Sequence, residues 1–321
     1  MKEKIIDVLL DNGGNFISGE ELSRQLNISR TAVWKYIKEI RGEGYVIEAF
    51  PRKGYRMKKK PDLLLPREIK RHLNTLRLGK SIEYLARVDS TNRRAKEMGL
   101  QGALEGTLVV AEEQTRGRGR LDRQWFSPRG GIWFSILLRP DLSPQQAPLL
   151  TLLTSLAGVK GIKNATGYSL YIKWPNDLFW QGKKAAGILT EINAEMDRIN
   201  FVVVGVGINA NIRHDHFPED ISSEAISLME EEGESVSRPK LLATFLNEME
   251  KMYDQAQVEG FKELIGEWKK YSTTLGKRVE VKTPRGTIKG KAVDINEEGA
   301  LMVEKEGGGV IQLLSGDVYL S

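Results

Sequence analysis

Hydrophobic positions in the first sixty residues recur at helical spacing. Ile5, Ile6, Leu9 and Leu10 predict an amphipathic helix from Lys2 to Leu10, ended by Gly13-Gly14. Ser18 followed by Glu21 has the form of a capping box and opens a short second helix with Leu22 and Leu26 facing inward. Asn27-Ile28-Ser29 makes a tight turn, with Ser29 placed to cap a third helix. Val33, Ile37 and Ile40 give that helix one buried stripe. Past Gly42 and Gly44 the period shortens. Tyr45–Phe50 and Tyr55–Met57 read as two strands around the turn Pro51-Arg52-Lys53-Gly54. Lys58–Asp62 reads as a linker, and Leu63 starts a new body with Pro66 at a helix start.

The middle of the chain alternates strands and helices. Strands are predicted over Ser81–Val88, Thr107–Glu113, Ile132–Leu138, Ser169–Ile172, Ile188–Ile192 and Phe201–Val204. Helices are predicted from Thr91 to Met98 and from Gln145 to Lys163, the latter with Leu149, Leu152, Leu153, Leu156 and Val159 buried. Residues 238–268 read as two helices, the first over Pro239–Ala256. From Leu275 on, short strands follow at Val279–Val281, Thr287–Val293, Ala300–Glu304, Val310–Leu314 and Val318–Leu320. Gly276, Pro284-Arg285-Gly286, Glu298-Gly299 and Gly307-Gly308-Gly309 supply turns between them, as in a small antiparallel SH3-like barrel. The expected class is α+β and multidomain, with domains at 1–62, 63–271 and 272–321.

Composition narrows the function classes. At 321 residues the chain exceeds one small domain. The absence of cysteine excludes disulfides, thiolate metal sites and cysteine nucleophiles. Met1-Lys2-Glu3-Lys4 shows no secretory leader, and no apolar run has membrane length, so a cytoplasmic protein is expected. The net charge of +5 lies wholly in residues 1–60, which carry 13 basic and 8 acidic residues. Together with the turn spacing, this excess favours a winged helix-turn-helix that meets DNA over a small protein-interaction domain. Ser29, Arg30, Thr31, Trp34, Lys35 and Lys38, with Arg52 and Lys53 at the hairpin tip, are the candidate DNA contacts.

Candidate chemistry gathers between strands. Gln114–Trp125 contains Arg116, Gly117, Arg118, Gly119, Arg120 and Arg123, a basic glycine-bearing loop. Its guanidinium forks suit phosphate or carboxylate. On its residues alone it reads equally as a ligand loop and as a solvated turn. Ser90-Thr91-Asn92 stands at a strand-to-helix turn, where hydroxyls and an amide bind a polar head group or simply cap the helix. Lys173-Trp174-Pro175-Asn176-Asp177 collects a lysine, an amide and a carboxylate where proline ends a strand. Lys184 lies among small residues at the entrance of the next strand, whereas Lys183 reads as an exposed turn lysine. Gly205-Val206-Gly207-Ile208-Asn209-Ala210 fits a relaxed dinucleotide fingerprint, but no apolar-periodic helix follows, so a Rossmann site is rejected. His214-Asp215-His216 lacks a third ligand nearby, and no metal site is assigned.

In order and combination these motifs resemble the bifunctional biotin protein ligases that also repress the biotin operon. The resemblance spans the full length. Asp89-Ser90-Thr91-Asn92, Gln114 with Arg118-Gly119-Arg120 and Trp125-Phe126-Ser127-Pro128, Lys173–Asp177, Lys184–Leu189 and Gly205–Asn209 carry it. Asp122 departs from it, standing where the family's loop often has glycine. The resemblance implies a class II aminoacyl-tRNA-synthetase-like central domain with a mixed sheet. It implies two half-reactions: biotin and ATP give biotinyl-5′-adenylate, then a lysine of biotin carboxyl carrier protein, the acetyl-CoA carboxylase subunit, takes the biotin. Mg²⁺ would escort the ATP phosphates. Ser90, Thr91, Asn92 and Gln114 would hold biotin's ring, and Arg118, Gly119 and Arg120 its carboxylate and the adenylate phosphate. Lys184 would be the main electrostatic catalyst. Lys173, Asn176 and Asp177 would shape the reacting centre, Asp177 either orienting or deprotonating the acceptor lysine or pairing structurally with Lys173, with Trp125, Asn176 and Asn209 near the nucleotide. A homodimer on operator DNA is implied, with no membrane partner. The rival readings are a ligand-sensing transcription factor without catalysis, which would not need Lys184 and the arginine loop, and a lipoyl ligase, against which the winged helix and intact loop stand.

Overall fold

The computed structural model describes every residue except 197, 230–233, 284, 285 and 321, so two residues of the expected turn Pro284-Arg285-Gly286 lie outside the described residues. Contacts divide the chain into two units, Met1–Leu63 and Leu64–Ser321.

In the first unit, helices α1 (Lys2–Asp11), α2 (Gly19–Leu26) and α3 (Arg30–Gly42) precede a hairpin of β1 (Val46–Phe50) and β2 (Gly54–Lys59). Ser18 Oγ accepts from the Glu21 N–H at 3.0 Å, and Ser29 Oγ from the Ala32 N–H at 3.1 Å. The Glu21 carboxylate is engaged by Arg24 and Gln25. Asn27 turns the chain between α2 and α3 in the left-handed region (φ 52°), which its short amide tolerates. Ile5, Ile6, Leu9, Leu22, Val33, Ile37 and Ile40 are buried together with Tyr45, Ile47 and Met57, while Leu26 is only half-buried. The unit is a winged helix-turn-helix.

The second unit is built on a seven-stranded mixed sheet in the order β3-β4-β5-β9-β8-β7-β6. Its strands are β3 (Ile82–Leu85), β4 (Leu108–Ala111), β5 (Ile132–Leu138), β6 (Tyr171–Lys173), β7 (Asp177–Trp180), β8 (Lys183–Ala194) and β9 (Ile199–Ile208). Only the β3–β4 pair is parallel. Two strands run longer than their apolar runs predict. β8 begins at Lys183 rather than Ile188, and β9 continues through the glycines to Ile208. Backbone pairing across Ala186↔Ile208 and Gly187↔Gly207 carries them where apolar side chains run out.

Alternation along the strands feeds two cores. Val110, Ile136, Val202 and Val204 pack beneath helix α6 (Ala147–Thr166) and the long helix α8 (Arg238–Glu259). Val109, Leu137, Phe201 and Val203 face the other way and pack with Ala95 of α5 (Thr91–Leu100). Helices α4 (Pro66–Lys70), α7 (Glu219–Ser222) and α9 (Lys262–Tyr271) complete the unit.

The C-terminal strands form an antiparallel five-stranded sheet, order β13-β12-β11-β10-β14: β10 (Arg278–Thr283), β11 (Gly286–Ile295), β12 (Leu301–Lys305), β13 (Val310–Leu313) and β14 (Asp317–Leu320). Val279, Val281, Leu301 and Val303 belong to the same apolar cluster as α6. Trp174 joins them, its Nε1 donating to the Gly299 carbonyl at 3.3 Å.

Candidate active site

The cavity opens where the α5 face of the sheet loses its side chains. On β9, Phe201 and Val203 fill the space under α5, and the next two residues on that face are Gly205 and Gly207. Gly207 pairs with Gly187 of β8, and Gly205 pairs with Ser135 of β5. A Cβ on Gly205 would overlap the Asn92 amide, and one on Gly207 would overlap the Trp125 indole. At Gly187 it would stand 2.9 Å from Trp125 Cζ3. The Gly-Val-Gly run is therefore a strand with one bare face, not a phosphate-binding turn. The space enclosed measures about 290 Å³.

Neutral polar groups meet at the start of α5. Ser90 is its N-cap. The Thr91 backbone N–H and hydroxyl both donate to Gln114 Oε1, at 2.8 and 3.0 Å. Ser135 Oγ lies 2.8 Å from Thr91 Oγ1 and 2.6 Å from Asn92 Oδ1. Asn92 Nδ2 donates to Glu191 at 2.9 Å, and Gln114 Nε2 to Ser127 Oγ at 2.9 Å. Ser90, Thr91, Asn92, Ser127 and Ser135 are all buried. Buried polar groups with partners already in place hold fixed positions, as a neutral polar ligand requires.

Cations enter from the loop and from β8. The loop is a small hairpin of its own. The Trp125 N–H donates to the Gly117 carbonyl at 2.9 Å, the Gly119 N–H to the Arg123 carbonyl at 2.7 Å, and Arg118 bridges Gln124. It turns through Leu121 and Asp122, both with positive φ (55° and 57°). Aspartate tolerates that conformation better than most residues, so it can stand where glycine is usual. Arg118 reaches Glu191 at 3.3 Å and Asp122 at 3.5 Å. Arg120 donates to Asn176 Oδ1 at 3.1 Å, and burial holds its guanidinium below its ordinary pKa. Lys184 Nζ stands 2.8 Å from Asp177 Oδ1, an ion pair without hydrogen-bond alignment, and 5.0 Å from the centre of the Trp125 ring. The Trp125 Nε1–H is buried without an acceptor, an unmet donor on the cavity wall.

Ser90, Thr91, Asn92, Gln114, Arg118, Gly119, Arg120, Trp125, Asn176, Asp177, Lys184 and Asn209 all line this one cavity. Lys173 does not. Its ammonium lies over the Phe179 ring at 5.0 Å, and the carboxylate of Asp177 faces Lys184 instead. Phe217, Ile221, Glu224 and Ala225 also line it, and no motif marks them. The chain at 224–226 runs beside Lys184, whose N–H donates to the Glu224 carbonyl at 2.7 Å. Asp317 of β14 is a further wall residue unmarked by the sequence. Among the described residues no three His, Asp or Glu side chains come together to hold a metal, and no helix is long and apolar enough to cross a membrane. In the first unit Ser29, Arg30, Thr31, Trp34, Lys35 and Lys38 are exposed at the start and along α3, as are Arg52 and Lys53 at the hairpin tip.

The chain matches three family models: an HTH domain over residues 2–56, the biotin/lipoate A/B protein ligase family over 84–209, and the biotin protein ligase C terminal domain over 274–321. It is 43% identical to the bifunctional ligase/repressor BirA of Bacillus spizizenii, covering 100% of this chain and 98% of the relative. It is 31% identical to the biotin--[acetyl-CoA-carboxylase] ligase of Paracoccus denitrificans, covering 70% of this chain and 94% of that protein. Among solved structures, the biotin protein ligase from Aquifex aeolicus in complex with biotin and ATP is similar at a TM-score of 0.66 and 33% identity, covering 75% of this chain and 99% of that one.

Proposed function

This chain belongs to the family of bifunctional biotin ligase/repressors, and from that membership we propose how its cavity works. The protein is an ATP-dependent biotin protein ligase joined to a DNA-binding repressor domain. One observation carries the assignment of residues: Arg118, Arg120 and Lys184 line the same cavity as Ser90, Thr91, Asn92 and Gln114. The neutral set suits biotin's ureido ring. The cations suit two anions, a carboxylate and a phosphate, that must be brought together.

In the first half-reaction a biotin carboxylate oxygen attacks the α-phosphorus of ATP, the bond to the β-bridging oxygen breaks, and pyrophosphate leaves. Lys184, Arg118 and Arg120 offset the charge that accumulates. Trp125 and Asn209 face the nucleotide, with Asn176 holding Arg120 in place. In the second, the neutral ε-amine of the carrier lysine attacks the acyl carbon, AMP departs with the bonding electrons, and the nitrogen's extra proton passes to water. The close Lys184–Asp177 pair supports Asp177 as the group that orients Lys184. Lys173, outside the cavity, is left with a packing role. Mg²⁺ enters as part of Mg·ATP. Asp177 and Asp317 already face Lys184 and Arg123, so phosphate oxygens and water would supply its coordination.

We read the domains as 1–62, 63–271 and 272–321. The antiparallel core β5-β9-β8 supports a class II aminoacyl-tRNA-synthetase-like centre, and the five antiparallel strands an SH3-like barrel. The carrier is the biotin carboxyl carrier protein of acetyl-CoA carboxylase, and the compartment the cytoplasm, where ATP, carrier and DNA meet. The exposed α3 and hairpin tip dock on operator DNA, two copies forming a homodimer on a two-fold site. Protein mixed with biotin and Mg·ATP should yield biotinyl-adenylate by mass, and lipoate in a parallel reaction should not compete. Absence of the adenylate, or preference for lipoate, sinks this reading.

A further inference from the structure

The corner Gly316-Asp317, where β14 begins, touches the arginine loop twice. Arg120 Nη1 donates to the Gly316 carbonyl at 3.3 Å. Arg123 engages the Asp317 carboxylate with both terminal nitrogens, one of them at 3.2 Å. The corner is fixed by the small sheet's own packing. Asp317 pairs with Lys282, Val318 is buried, and a Cβ on Gly316 would stand 3.2 Å from the Lys282 carbonyl and closer still to Val281. The loop tip is the opposite case, with Leu121 63% exposed. A loop that must open for substrates is thus tied just beside its tip to a rigid element far away in sequence.

We propose that Asp317 is a positioning residue that latches the arginine loop over the cavity and sets how long biotinyl-adenylate is retained there. The carboxylate acts through Arg123. Once Arg123 is held, Arg120 on the same hairpin lies against the Gly316 carbonyl and Asn176. The inference rests on the ligase reading above for its ligand, but not for the latch itself. The Arg123 side chain is 60% exposed, so the pair is partly screened, and its loss should speed adenylate release on the order of 3–10-fold.

The test uses full-length Asp317→Asn, Arg123→Asp and the reciprocal double variant Arg123→Asp with Asp317→Arg. Two rates are followed: escape of preformed biotinyl-adenylate into solution, and tryptic cleavage after Arg116, Arg118 and Arg120, present in every form, without ligand, read by peptide mass. Each single variant should release adenylate faster and be cut faster, and the double variant should recover both, which loss of general packing would not do. Unchanged rates in the single variants, or no recovery in the double, overturn the proposal. If the wild type forms no adenylate, the ligase reading fails while the cleavage rates still decide the latch: equal cutting in all forms overturns it, and faster cutting with recovery in the double supports it.

Discussion

Lys184→Ala is the sharpest test of the assigned chemistry, because its effect on rate and its effect on stability should part company. The ammonium sits 2.8 Å from Asp177 Oδ1 with both side chains partly solvated, at 31% and 23% exposure. A pair in that setting contributes about 0–1 kcal/mol to folding. In the proposed reaction the same group is a preorganised cation facing charge that develops at the α-phosphate. Removing one such group costs on the order of 10²–10³ in rate, about 3–4 kcal/mol of barrier. Lys184→Ala should therefore melt close to the wild type while single-turnover adenylation falls by those two to three orders. Asp177→Asn, which leaves the ammonium but loosens its orientation, should fall less. The double variant should match Lys184→Ala, since orientation is worthless without the charge. Adenylation is followed by quenching protein in excess over labelled ATP and separating adenylate from nucleotide. An unchanged adenylation rate in Lys184→Ala would falsify the role.

Gly207→Ala places a methyl against the Trp125 indole, and overpacking of this kind costs about 1–3 kcal/mol. ATP affinity should drop while biotin affinity changes little, as titration calorimetry can separate; equal losses for both ligands would count against Trp125 as a nucleotide wall. Arg238→Ala strands Glu112 in the core, where both side chains are 2% exposed and 2.9 Å apart. Leaving one buried charge unpaired costs about 3–5 kcal/mol, so the urea midpoint should fall steeply, and a shift worth under 1 kcal/mol would refute the account. Lys35→Ala removes one exposed cation from α3, so the slope of log K against log salt for operator binding should shrink by about one. An unchanged slope would move the DNA contact elsewhere.

Local patterns made much of this architecture legible. The Val33-Ile37-Ile40 stripe and the caps at Ser18 and Ser29 depend on neighbours within one turn, and they appear where the spacing puts them. Gln114, Thr91 and Lys184 line one cavity, although taken alone Thr91 reads as readily as a helix cap and Gln114's loop as a solvated turn. Strand limits were less visible. Lys183–Gly187 and Gly205–Ile208 lack an apolar run, yet they pair with each other across β8 and β9, and pairing partners are not written locally. Lys173 shows the same limit in reverse: it pairs with Asp177 across β6 and β7, yet its ammonium lies over Phe179 while the Asp177 carboxylate faces Lys184 from β8.

Residues invisible to sequence reasoning share a cause. Glu191, Ser135 and Asp317 act on a site residue from another strand, and none lies in a motif. Glu191 joins Asn92 at 2.9 Å to Arg118 at 3.3 Å, so the polar cluster under α5 and the loop are not independent. A carboxylate between the two can accept from both only while the loop is down, because Arg118 belongs to that loop. The same holds for Asp317 and Arg123 on the opposite flank of the hairpin. Two carboxylates, one on β8 and one on β14, thus grip the Arg118–Arg123 part of the loop, whose turn residue Leu121 is exposed. Charge pairs of this exposure are weak singly, so on the proposed ligase reading they would hold the loop over a reactive anhydride together and still let it open. A site of this kind needs that balance, since a lid held by buried apolar contacts would release product too slowly to turn over.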